Sequence, residues 1–282
     1  MPLRLISYMS PGFPVSLFET IASRVDAELH LDTERSGPAP GHDPFADGAY
    51  DLGWICATSF VELSLRSAEP SVRLAGVAWV PDDPDSDGRP VYHGDLVTRQ
   101  GSGIRSVADL AGRRVGCNDE VSLSGHLSLR FEIERLGGDP DTFADLIFTG
   151  GHHRSLDLVA AGELDAAVID SVVRVQRSRT DPAVAALAVV ERLGPWPVQP
   201  LVAATTLDDE TVAAVAASLL VPLDGHPGDD LTAELRAAAL RGLVPIDADH
   251  YEPVRQAMAD HRTTTQAISR AAPSNCELER RK

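Results

Sequence analysis

The chain has 282 residues, with 25 Lys and Arg against 42 Asp and Glu, a net charge of −17, and 43% hydrophobic residues. That acidity repels phosphodiester backbones and acidic membranes at long range, which sets nucleic acid aside as a partner. No tract approaches the run of about 18 apolar residues that a membrane span needs, so no membrane insertion is expected. Lys282 is the single lysine, which argues against a lysine Schiff base or a P-loop. Cys56, Cys117 and Cys276 are odd in number and widely spaced, fitting neither a disulfide framework nor a CxxC motif. The length allows one large domain or two lobes.

In chain order, Leu3 to Tyr8 is an apolar run expected to form a buried strand. It lacks the apolar core and small-residue cleavage site of a secretory signal, and the expected location is the cytoplasm. SPGFP is a turn, and Val15, Phe18, Ile21, Ala22 and Val25 recur at helical spacing. AELHLDTE reads as a strand, residues 36–48 as a Gly- and Pro-rich loop, YDLGWICA as a buried strand, and SFVELSLRSA as a helix. Val72 to Val80 predicts one strand, PDDPDSDGRP an exposed turn, and VYHGDLVTR another strand. A short helix, a glycine turn and a strand lead into CNDEVSLSG, and a helix follows from about Gly125 to Leu136, capped by Gly137 and Gly138. LIFTGG is strand-like, HRSLDLVAAGEL is an amphipathic helix closed by Gly162, and DAAVID is a buried strand. After a helix at about 171–179, AALAVVERLG is a strand, GPWPVQP a rigid turn and LVAATT a strand. Two or three helices follow from Asp208, with a frayed tail over 273–282. Alternating strands and helices predict an α/β fold with mostly parallel sheets.

Five segments in order, YDLGWICATSFVEL, GRPVYHGDLVTR, SVADLAGRRVGCNDEVSLSG, FTGGHHRSLDLVAAGELDAAVIDS and LGPWPVQPLVA, resemble the phosphate/phosphite/phosphonate-type solute-binding proteins of ABC importers. The resemblance spans about Leu3 to Thr206. It implies a two-lobed type II periplasmic-binding-protein fold with mixed, mostly parallel sheets, a hinge and a central cleft. One lobe would be 1–95 plus 200–282 and the other 96–199, with crossings near Asp95 to Arg99 and Pro195 to Leu201. Such lobes close on a ligand.

Ser122, Ser124 and Gly125 stand at a strand-to-helix junction, where free N–H groups and a positive dipole end favour an anion. By residue type alone, Ser122 or Ser124 is as well an N-cap, and Asp170 a cap for the helix after it. By the resemblance, Ser122, Ser124 and His152 would grip phosphonate oxygens and Asp170 would face a cationic group of the ligand. Tyr92 and Trp54, with Phe60 nearby, would line the cleft, and Tyr8 and Ser10 would form its floor; by residue type alone the aromatics, Trp54 above all, read as core. His153 beside His152 invites a metal, but neighbours on an extended segment point apart, and no metal or cofactor is expected. Leu123 and Gly151 stand where the family commonly carries hydroxyls, so a ligand less charged than a phosphonate dianion is expected.

Two functions follow. The first is capture of a small anion or zwitterion by lobe closure, with a transporter as partner only if the chain is exported. The second is a cytoplasmic enzyme on the same fold, resembling chorismate dehydratase or thiamin-precursor synthases, with His152, Asp170 or Glu120 as acid or base. The effector domain of a transcription regulator needs a helix-turn-helix that the sequence lacks.

Overall fold

The computed structural model describes residues 2–9, 12–65, 67–226 and 228–271, with side chains as far as residue 261. Ser10, Cys276 and the tail after Pro273 lie outside the described residues.

Twelve strands are present among the described residues: β1 Leu3–Ser7, β2 Ala27–Leu31, β3 Leu52–Trp54, β4 Val72–Leu74, β5 Val77–Pro81, β6 Val91–Thr98, β7 Arg114–Cys117, β8 Asp145–Phe148, β9 Ala166–Asp170, β10 Ala188–Pro197, β11 Leu201–Ala204 and β12 Leu240–Pro245. They build one five-stranded sheet in the order β2-β1-β3-β11-β4 and a second in the order β10-β6-β9-β7-β8. Strands β5 and β12 form a separate antiparallel pair. Each large sheet is the body of one lobe, and helices cover its faces.

Both large sheets are mixed and mostly parallel: in each, four strands run one way and a single strand, β11 in the first and β6 in the second, runs against them. In the first, β1 pairs parallel with β2 and β3, whereas β11 pairs antiparallel with β3 and β4. In the second, β7 pairs parallel with β8 and β9, whereas β6 pairs antiparallel with β9 and β10. The antiparallel strands are those that carry the chain from one lobe to the other.

Burial on both faces explains the continuous apolar runs of the second sheet. Leu96, Val115, Ala166 and Val168 face one core with Leu129 and Ile133, while Val97, Ala167 and Ile169 face another with Leu156 and Val159. The first lobe's core also takes in Tyr92, Leu123, Val172 and Val173 from the second lobe, so the two lobes pack against each other.

Four expectations about elements are corrected. The run Val72 to Val80 is two strands in different sheets, because Gly76 at φ +86 turns the chain between them. Strand β6 begins at Val91 and pairs inside the second sheet throughout, so the first crossing lies in 82–90 and not at 95–99. The GPWPVQP segment is not a turn, since β10 runs to Pro197 with a register shift between Leu193 and Trp196. Strand β12, which follows the helix Asp230–Ala237 in a stretch where only helices are expected, pairs with β5.

Candidate ligand-binding site

All the parallel strands of both sheets end toward the interface of the lobes. Their carboxyl ends release the loops that carry polar side chains, the usual place for a ligand in open α/β sheets. From the first lobe, Tyr8, Gly12 and Phe13 follow β1, Ser36 follows β2, and Cys56 follows β3. From the second, Asn118, Ser122 and Ser124 follow β7, His152 follows β8, and Asp170 ends β9. Tyr92 on β6 and Gln199 in the second crossing complete an interlobe cavity of about 30 Å³. That is room for roughly two water molecules.

The Ser122 turn is both a cap and a donor array. Ser122 Oγ accepts from Gly125 N at 3.1 Å, which leaves its proton free for the cavity. The helical run then continues from Leu123 through a π-turn into Ser128–Arg135, long enough to give the site the positive end of a helix. Gly125 is dictated by space: a Cβ there would stand 1.8 Å from Asn118 Oδ1 and 2.8 Å from His152 Cε1.

His152 opens the helix His152–Ala161, and its Nδ1 accepts from Asp170 N at 3.4 Å. An acceptor Nδ1 places the ring proton on Nε2, as a donor. Burial, with a lesser push from His153, lowers its pKa to about 3, so the ring is neutral at physiological pH.

Asp170 caps the helix Ser171–Ser178 through Val172 N at 2.8 Å. Its other oxygen accepts from Gln199 Nε2 at 2.8 Å. The amide of Gln199 can face only this way, because Trp79 Nε1, which is a donor only, reaches Gln199 Oε1 at 3.2 Å. Burial raises the Asp170 pKa to about 7 against these hydrogen bonds. Burial likewise pushes the Tyr8 hydroxyl up to about 12, and Tyr92 well above its ordinary value.

Of the residues singled out by sequence, Ser122, Ser124, His152, Asp170, Tyr92 and Tyr8 come together on this cavity, and Gly125 packs behind it. Trp54 does not line it: the ring is fully buried, stacks on Trp79 at 4.5 Å and donates to Gln199 O at 3.0 Å. Phe60 is likewise core, edge-on to Tyr251. Glu120 is exposed and lines a different cavity, with Pro38, Glu62 and Leu127, so of the three acid–base candidates only His152 and Asp170 meet on this one. His153 is half-buried, turned to Arg177 at 3.4 Å, away from the cavity. Sequence reading missed Asn118, Ser36, Cys56 and Gln199, four residues whose role depends on contacts between the lobes.

Two sheet-centred lobes, two crossings and a cavity at the strand ends with convergent polar side chains are the architecture of the two-lobed binding proteins. Residues 16–251 match the family described as ABC transporter, phosphonate, periplasmic substrate-binding protein, and the chain belongs to that family. Among solved structures, the binding-protein component of a phosphonate ABC transporter from Pseudomonas aeruginosa is similar at TM-score 0.76 and 17% identity, over 94% of this chain and 88% of that one. PhnD1 from Prochlorococcus marinus in complex with methylphosphonate gives TM-score 0.71 and 15% identity, over 92% and 97%. The alkanesulfonate-binding protein SsuA from Xanthomonas axonopodis pv. citri, bound to MOPS, gives 0.57 and 15%, over 92% and 91%. At these identities the likeness speaks for the fold.

Proposed function

We propose that the chain is a receptor that encloses one small tetrahedral oxyanion, of the size of phosphite or methylphosphonate, between its lobes and presents it to an ABC transporter. The observation that carries this reading is the make-up of the interlobe cavity. Ser122, Ser124, the helix N-terminus behind them and His152 are neutral donors converging from one lobe, with Tyr8 facing them from the other. Neutral donors pre-aimed at one point hold an anion without a counter-charge, because the fold fixes their dipoles and their desolvation costs less than that of an ammonium or guanidinium.

The cavity of about 30 Å³ favours a compact ligand over an aminoalkyl phosphonate or an ester. Asp170 does not bar an anion, since burial keeps much of its carboxyl neutral at neutral pH. Closure supports the reading as well: Ser36 donates to Asp119 through its amide at 3.0 Å and also through its hydroxyl, and Thr58 Oγ1 donates to Val121 O at 2.6 Å. These bonds join first-lobe residues to the loop that carries Ser122.

The test is a melting series with methylphosphonate, phosphite, phosphate, methanesulfonate and amino acids. A ligand at about 100 times its Kd stabilises the native state by about 2.7 kcal/mol, a rise of roughly 5 °C or more for a chain of this size. Methylphosphonate or phosphite is expected to give that rise and to be recovered chemically intact. No shift with any tetrahedral oxyanion would overturn the reading.

A further inference from the structure

Asn118, the first residue after β7, lines the interlobe cavity and is 5% exposed. Its side chain is half satisfied. Nδ2 donates to Asp119 Oδ2 at 3.2 Å, whereas Oδ1 is buried with no hydrogen-bond partner. Chemistry fixes this orientation. Exchanging the amide oxygen and nitrogen would set a carbonyl oxygen against a carboxylate oxygen, one that already accepts from Ser36.

Oδ1 lies at the end of the cavity where the helix N-terminus and His152 meet, against Gly125, where only a missing Cβ makes room for it. The titratable groups around it are Asp119 on its own loop, His152 from the helix after β8, Asp170 from β9, Cys56 after β3, and Tyr8 and Tyr92 from β1 and β6. No Lys or Arg is among the residues lining the cavity. A buried acceptor without a donor destabilises the closed form, and a ligand hydroxyl relieves it, whereas a ligand that offers only oxygen lone pairs adds repulsion.

Building on the oxyanion reading, we propose that Asn118 is a specificity-determining residue whose Oδ1 accepts a hydrogen bond from an acid hydroxyl of the ligand. The cleft then takes tetrahedral oxyanions that keep a proton, such as hydrogen phosphonates, and refuses sulfonates of the same shape and charge. Asp170 already accepts from Val172 N and Gln199 Nε2, whereas Asn118 Oδ1 is the cavity-lining side-chain oxygen left without a donor among the described residues.

Titration calorimetry at about pH 6 compares methylphosphonate, then a monoanion with one hydroxyl, with methanesulfonate, a monoanion with none. The wild-type chain is expected to favour methylphosphonate at least tenfold, since leaving a buried acceptor unpaired costs about 1–3 kcal/mol. In Asn118→Leu the preference is expected to shrink to within about threefold, chiefly by weaker methylphosphonate binding. Asp119 keeps its bonds from Ser36 in that variant, and Asn118→Ala reads the same ratio should Asn118→Leu not fold. Equal or reversed affinities in the wild type, or a preference unchanged by both substitutions, overturn the proposal while leaving the receptor reading intact. Binding of neither ligand, nor of phosphite, removes the receptor reading itself and this inference with it.

Discussion

Asp170 and His152 share one cavity wall and titrate in opposite senses. The Asp170 carboxyl, raised by burial to about 7, keeps a proton in the folded chain that the unfolded chain releases near pH 4. Its contribution to stability therefore falls as pH rises from about 4 to about 7, by roughly 4 kcal/mol in all at 1.36 kcal/mol per pH unit. His152, lowered by burial to about 3, refuses a proton that the unfolded chain takes up near pH 6.5. Its contribution rises with pH over nearly the same window and by a similar amount, so the two nearly cancel in the wild type. Single substitutions expose the halves. Between about pH 4 and 6.5, Asp170→Asn is expected to gain roughly 3 kcal/mol relative to the wild-type curve, and His152→Asn to lose about as much. Urea denaturation of the three chains across that range checks this, and three parallel curves would contradict it.

At the scale of elements, the alternation of strands and helices was legible because buried strands of the second sheet read as unbroken apolar runs, as AAVID does in β9. The two-lobed fold and six of the cavity residues were legible through motif order. What escaped depends on partners distant in sequence. Gly76 marked a possible turn, but only the pairing of β4 with β11 and of β5 with β12 puts its two sides in different sheets. Strand β12 is short, follows a helix and has β5 as its partner some 160 residues earlier, so no local signal separated it from a helical tail. Asn118 lay in view in CNDEVSLSG, yet its free oxygen is visible only once Asp119 and Gly125 are placed around it. Gly125 is the point where element and site depend on one another. Its lack of a Cβ lets the helix start pass beneath Asn118 and His152. Gly125→Ala is expected to lower affinity for the oxyanion about a hundredfold or more, at a stability cost of about 1–3 kcal/mol. Calorimetry beside thermal melts measures both, and wild-type affinity in this variant would show that the helix start takes no part in binding.

At the scale of the molecule, the proposed function depends on a balance between separated and closed lobes, and two sets of contacts act on that balance differently. Near the crossings, the fully buried Asp95 on β6 is paired with Arg174 and with Arg192 at 2.8 Å, and Arg192 also holds Asp83 in the segment that joins the lobes. That cluster ties β10 and β6 to the connector and includes no residue that lines the cavity. Arg192→Met strips one partner from a buried carboxylate and is expected to cost about 3–5 kcal/mol of stability. Across the cleft, the bonds from Ser36 to Asp119 and from Thr58 to Val121 O join residues that separate when the lobes part. Their free energy belongs to closure alone, and a ligand that needs closure draws on it. Removing a bond to a carboxylate and a bond to a carbonyl together costs about 2–4 kcal/mol. The double variant Ser36→Ala with Thr58→Val is therefore expected to bind its oxyanion roughly thirty to several hundred times more weakly, chiefly through faster release. The ligand-free melting temperature should stay within about 2 °C of the wild type, since open lobes do not make these bonds. Stopped-flow release rates and melts of both forms decide the matter: unchanged release with a lowered ligand-free melting temperature would mean that the lobes are closed without ligand, and that the oxyanion enters by local opening of the 36–48 loop rather than by movement of whole lobes.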